Sequence, residues 1–296
     1  MNNGQWTTDN SQQTTKREAT PPLDNMDRLM EEKFGRLKGI FQSMGKVLVA
    51  FSGGADSTLL LRVAQDTLGD RNVFAVTARS PLYPERECAG VKKLVQTLGV
   101  RHRLIESNEL KIPGFSGNPP DRCYHCKGKL FRELLEIAKE ESIPFIVEGS
   151  TLDDDKDHRP GRKAIQELGI RSPLKEALFT KIEVRELSKE LGISTWNKPS
   201  FACLASRFPY GEEITERGLR MVDEAEDFLF GLGFKQVRVR HYGSLARIEI
   251  LNEEMSRFMD GLLREKVVSH LKGVGYRYIT LDLQGFRTGS MNEVLG

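Results

Sequence analysis

The stretch DRCYHCKGKL, Asp121 to Leu130, sets Cys123 and Cys126 three residues apart in a 296-residue chain that has four cysteines. Thiols at that spacing close a disulfide, hold zinc, exchange electrons or carry sulfur chemistry. Four cysteines are too few to staple a chain of this length, and a reducing cytosol opposes that use, so metal binding or sulfur chemistry is the better reading. Zinc asks for four ligands; His125 and Cys203 are the available additions, but no second Cys-x-x-Cys or His pair has zinc-finger spacing. A redox role is weaker, because the pair does not follow the first strand of a thioredoxin pattern. It comes after NPPD and before a helical pattern, so both thiols are expected near a helix N-terminus, where thiolates are favoured. Cys203 lies in WNKPSFACLASRFPYG, where Lys198 and Arg207 offer positive charge to a thiol. Cys88, inside a helical pattern, reads as a small apolar residue without a role.

The second chemical segment is VLVAFSGGADSTLLL: a buried strand, two glycines, then hydroxyl residues opening a helix. Gly53 and Gly54 let the backbone approach an anion, while the helix N-terminus offers unpaired N–H groups and the positive end of its dipole. Ser52, Ser57 and Thr58 add hydroxyl donors. A plain glycine-rich turn is the bland alternative, but Ser-Gly-Gly-x-Asp-Ser at a strand's carboxyl end is far more specific than a lone G-x-G-x-x-G. The Walker lysine is missing, which disfavours γ-phosphate transfer. The segment resembles the PP-loop of the ATP pyrophosphatases. That resemblance implies cleavage between the α- and β-phosphates and transfer of AMP to a substrate oxygen with Mg²⁺ assisting. It gives Ser52, Gly53, Gly54, Ser57 and Thr58 to the phosphates and Asp56 to the loop or the metal.

The elements that must position these residues follow from hydrophobic pattern. KVLVAF, NVFAVTA, RHRLIES and PFIVEGS are short strand-like runs separated by helical segments, which means an α/β fold on a parallel sheet. Beyond the linker, TERGLRMVDEAEDFLFGLGF reads as a helix and KQVRVRHYGSLARIEIL as a hairpin turning at Gly243. A helix over 253–272 and a strand RYITLDL complete a smaller α+β unit. The expected organisation is a leader at 1–22, an α/β domain at 23–195, a cysteine-bearing linker at 196–212 and an α+β domain at 213–296. The leader, rich in Asn, Gln, Thr and Pro, is expected to be disordered. No apolar run approaches the ~20 residues of a membrane span and no signal-peptide core opens the chain, so a cytoplasmic protein is expected. Forty-four Lys and Arg against 42 Asp and Glu give a net charge of +2, too little to argue for nucleic acid.

KPSFACLASRFPYG, with STLDDDKDHRPGRKAIQELGIRSPL and FTKIEVRELSKELGI before it, resembles the LarE family, PP-loop sulfur transferases of nickel-pincer cofactor synthesis. The likeness runs from about Asp24 to the C-terminus. It implies adenylation of a carboxylate of pyridinium-3,5-biscarboxylic acid mononucleotide and replacement of oxygen by sulfur. Some members give up the sulfur of a cysteine at the position of Cys203; those lack a Cys-x-x-Cys pair. Others have three cysteines resembling the ligands of a [4Fe-4S] cluster, and carried onto this chain these are Cys123, Cys126 and Cys203. The family also implies a homo-oligomer, while the near-neutral charge and the lack of a long apolar run lead us to expect no nucleic-acid or membrane partner.

The same resemblance tips Arg238 and Arg240, two apart on a strand, from a solvated face toward the substrate phosphate, with Ser206 and Arg207 helping. Asp154, in the acidic loop after PFIVEGS, is expected to serve ATP or Mg²⁺. Arg159 and Lys175 are weaker phosphate candidates, Lys127 lies beside the cysteine pair, and Glu226 and Glu249 are possible metal carboxylates. The competing functions are a PP-loop tRNA thiolase, which would bind tRNA tightly and salt-sensitively, and a non-catalytic nucleotide or iron-sulfur module, which would not convert ATP to AMP.

Overall fold

The computed structural model describes residues 28–156, 160–199, 201–287 and 289–295. The leader and Arg159 therefore lie outside the described residues.

Helix α1 (Arg28–Met44) turns Met30, Phe34, Leu37, Phe41 and Met44 into the core, a three-four spacing that makes one apolar stripe. Then β1 (Val47–Ala50), α2 (Ala55–Leu68), β2 (Val73–Arg79), α3 (Glu85–Leu98), β3 (Arg101–Glu106), α4 (Arg122–Glu140) and β4 (Phe145–Val147) alternate. The strands form one parallel sheet in the order β3-β2-β1-β4. Side chains alternate across it: Val47 and Val49 join one core with α1 and α2, while Leu48 joins the other with Phe131, Leu134 and Ile137 of α4. Both faces are thus covered, as a parallel sheet requires. The chain steps from β1 outward to β3 and then returns to the other side of β1. The loops after β1 and β4 therefore open side by side, at the switch point where ligands of such sheets bind.

Helices α5 (Gly161–Glu167), α6 (Pro173–Glu176) and α7 (Lys181–Glu190) follow. Thr180 opens α7 with a capping box, accepting from the Glu183 amide while the Glu183 carboxylate accepts from the Thr180 amide. Past the strap at 196–212 come α8 (Glu216–Gly231), β5 (Val237–Tyr242), β6 (Leu245–Ile250), α9 (Gly261–Val274) and β7 (Tyr278–Leu281). β5 and β6 are the expected hairpin, with Gly243 at φ 58°, and β7 adds parallel to β6. The single helix expected over 253–272 is two pieces. A 3₁₀ stretch, Asn252–Met259, ends at Asp260, whose carboxylate accepts from the Leu262 and Leu263 amides and starts α9 afresh. Among the described residues no helix is long and apolar enough to cross a membrane.

A further apolar cluster sits where everything meets: Leu82 and Phe115 from the first sheet's loops, Leu204, Ala205 and Phe208 from the strap, and Leu219 and Val222 from α8.

Candidate active site

The phosphate loop takes the shape its residues suggest. Gly53 has φ +69°, a conformation that costs an L residue, and a Cβ there would lie 2.6 Å from Val91 Cγ2. Gly54 is the N-cap of α2 with an extended backbone and no side chain to fill its place. The Ser52 and Ser57 hydroxyls are 3.0 Å apart, and Thr58 Oγ1 donates to the Gly54 carbonyl at 2.7 Å. From the neighbouring strand Gly149 presses close, since a Cβ there would lie 3.1 Å from the Ser57 amide nitrogen. Asp56 stands in the first turn of α2.

The cysteine pair lies inside α4 rather than before it: Arg122 is the first helical residue and Asp121 the N-cap. Two ties carry Cys203 to it. The Leu204 amide donates to the Leu82 carbonyl at 2.8 Å, and buried Asn118 donates from Nδ2 to the Phe208 and Pro209 carbonyls at 3.1 and 2.6 Å. Arg122 stacks on Tyr210 of the strap at 4.7 Å. As a result Cys126 and Cys203 pack against the same apolar cluster, and Cys126 feels the charge of both Cys203 and Cys123. The expectation of stabilised thiolates is corrected at Cys126. Burial pushes its thiol up, and the negative charge of Glu109, Cys203 and Cys123 pushes it further against the smaller pull of Lys127.

The two cations expected to serve Cys203 are engaged elsewhere. Lys198 Nζ pairs with Glu87 at 2.7 Å and donates to the Gly53 carbonyl at 3.0 Å. Arg207, fully buried, forms a two-pronged pair with Glu226 at 2.8 Å per bond and donates to the Ala202 and Cys203 carbonyls. His125 turns to Asp121 at 3.3 Å. Among the described residues no group of three or more His, Cys, Asp or Glu is arranged to hold a metal ion.

Arg238 and Arg240 are buried, not on a solvated face. Arg240 makes a bidentate pair with Glu249 at 2.9 and 2.8 Å and donates to the Ser206 carbonyl and Ser290 Oγ. Glu226 and Glu249, read from sequence as metal carboxylates, each neutralise an arginine, since a buried carboxylate needs a cation. Burial alone would raise the Glu226 carboxyl; the charge and hydrogen bonds of Arg207 hold it below its ordinary range instead. Arg238 is the exception. Its Nη1 is buried with no hydrogen-bond partner, and burial together with the Arg207 charge lowers its guanidinium to about 9, against the pull of the Glu226 and Glu249 carboxylates. Ser206 Oγ donates to the Cys203 carbonyl at 2.8 Å.

Asp154 is buried and built into its loop: it accepts from the Thr151 amide at 2.9 Å and pairs with Lys181 at 2.9 Å. Lys175 lies in α6, and the Lys127 stem packs on Gly161, where a Cβ would lie 2.8 Å from its Cδ. Spacing gave no hint of Glu109, a buried carboxylate that accepts from the Ser80 and Ser107 hydroxyls, or of Asn118, because their roles come from long-range packing.

The chain matches the NAD synthase family over residues 36–112. It is 41% identical over 267 residues to an uncharacterised protein of Synechocystis sp., covering 90% of this chain and 99% of that one. It is 39% identical over 263 residues to the pyridinium-3,5-bisthiocarboxylic acid mononucleotide synthase of Lactiplantibacillus plantarum, covering 89% and 95%. A GMP synthase of Aeropyrum pernix is 30% identical over 169 residues, 51% of this chain and 33% of that one.

Proposed function

Since the chain belongs to the family of the pyridinium-3,5-bisthiocarboxylic acid mononucleotide synthase, the ATP-dependent sulfur transferases of nickel-pincer cofactor synthesis, we propose that it thiolates a carboxylate of pyridinium-3,5-biscarboxylic acid mononucleotide. A carboxylate oxygen attacks the α-phosphorus of ATP and pyrophosphate leaves with the bonding electrons. Sulfide then attacks the activated carbonyl carbon, and AMP departs with the former carboxylate oxygen. Adenylation is needed because a free carboxylate oxygen is a poor leaving group.

In this reading Ser52, Gly53, Gly54, Ser57 and Thr58 hold the phosphates through amide and hydroxyl donors. Asp56 and Asp154 serve Mg²⁺, and Lys175 the nucleotide. Arg238, whose Nη1 is buried without a hydrogen-bond partner, is assigned to the substrate phosphate, while Arg240, Arg207 and Ser206 form the frame behind it. Lys127, next to Cys126 and one turn from Cys123, meets the substrate carboxylate. Cys123, Cys126 and Cys203 would hold a [4Fe-4S] cluster: soft ligands from two separate segments that pack toward one place, while His125, between the paired thiols, turns to Asp121 instead. When bound, such a cluster would supply an iron without a protein ligand, able to carry the sulfide that is transferred.

The observation that carries the reading is the approach of Cys203 to the Cys-x-x-Cys helix by way of the strap. Anaerobic purification with iron and sulfide analysis tests it. About four irons per chain are expected, lost when any one of the three cysteines becomes Ala. Mass spectrometry after turnover decides the sulfur source. Conversion of Cys203 to dehydroalanine would make that cysteine the donor and end the cluster-carrier proposal.

A further inference from the structure

The phosphate loop from Ser52 to Thr58 contains no cation of its own. One arrives from the strap. Lys198 Nζ donates to the Gly53 carbonyl at 3.0 Å and pairs with Glu87 Oε2 at 2.7 Å. Its backbone is fixed: Arg185 donates to the Trp196 carbonyl at 3.0 Å and to that of Lys198 at 2.8 Å. Glu87 comes from α3, the helix whose Val91 presses on Gly53. The cation is therefore held against the loop from two sides, and its side chain keeps 21% of its surface open to solvent. An ammonium has three N–H donors. Two are used here, and the third has no acceptor among the described residues.

We infer that Lys198 is a phosphate-binding residue, standing in for the lysine the loop lacks and taking an oxygen of the β- or γ-phosphate of ATP. When the bond from the α-phosphorus to the bridging oxygen breaks, the electron pair and the new negative charge go to pyrophosphate, and an ammonium beside it stabilises that charge. No proton transfer is required of it. Because Lys198 lies on the segment that leads to Cys203, pyrophosphate held there also fixes the strap that carries the third thiol. The inference rests on the loop as an ATP cradle and not on the identity of the thiolated substrate.

Calorimetric titration of the full chain with Mg·ATP, Mg·pyrophosphate and AMP tests it. Lys198→Ala, and Lys198→Met, which keeps the packing of the stem, are expected to weaken ATP and pyrophosphate about tenfold or more, the effect of losing a charge-assisted hydrogen bond. AMP, which has neither outer phosphate, is expected to bind as in the wild type. An equal loss for AMP would reduce Lys198 to a structural prop and overturn the inference, as would unchanged binding of all three. Wild-type chain that takes up neither ATP nor pyrophosphate would overturn the cradle itself, and the inference with it.

Discussion

At Gly53 the loop needs what no other residue supplies: a positive φ and an empty place beside Val91. Gly53→Ala is expected to cost about 1–2 kcal/mol from the backbone alone, with a further loss from the Val91 contact, and to abolish conversion of ATP to AMP; thermal melts and an AMP assay check both. Arg207 and Glu226 pose the opposite problem, two charges with no solvent. Removing one partner strands the other, so Glu226→Ala is expected to destabilise by about 3–5 kcal/mol, while Arg207→Met with Glu226→Leu recovers much of it; denaturant unfolding measures the difference. Glu226 also sets a pH dependence. Its folded pKa lies below the unfolded value of roughly 4.3, so its stabilisation is full above that value and disappears as pH falls through the folded one. The stability gap between wild type and Glu226→Gln is expected to close on acidification, and a gap unchanged by pH would refute the assignment.

Among the elements, the strands and helices of the parallel sheet were legible because each announces itself locally, by a buried run or a three-four stripe. The break at Asp260 was not, although an Asp-Gly pair stands there, because a periodic pattern continues through it and only the cap hydrogen bonds separate the two pieces. Nor was the bond between α3 and α8. Arg86 reaches Asp223 at 3.1 Å and Asp227 at 3.6 Å, under Phe230 at 4.7 Å and Phe201 at 5.5 Å. Loss of a partly buried charged contact of this kind is worth about 1–3 kcal/mol. Arg86→Ala is expected to split calorimetric unfolding into two transitions, one for each sheet; a single transition shifted in temperature would mean that α3 and α8 are held together by other contacts.

For the whole molecule, the near-balance of charge argues against a polyanionic partner. Filter binding is expected to show no tight retention of tRNA that salt removes, and such retention would revive the thiolase alternative. The site was legible in its parts and not in its assembly. Residue types pointed to the loop at Ser52–Thr58 and the Cys-x-x-Cys pair, and the resemblance added Cys203, but the bonds that draw these segments together, through Asn118, Leu82 and Lys198, join residues far apart in the chain, and no local pattern records them. The arginines show the limit from the other side: spacing placed Arg238 and Arg240 on one face and could not tell that Arg240 would meet Glu249 while a buried donor of Arg238 stayed without a hydrogen-bond partner. The distance in sequence between Cys126 and Cys203 also sets a clock. A ribosome adding about 5–20 residues per second exposes the first two thiols for several seconds before the third is made. A cluster held by all three thiols, as proposed, would have to come late, after the strap has closed on Leu82, and during that interval the growing chain offers a bare thiol pair open to oxidation.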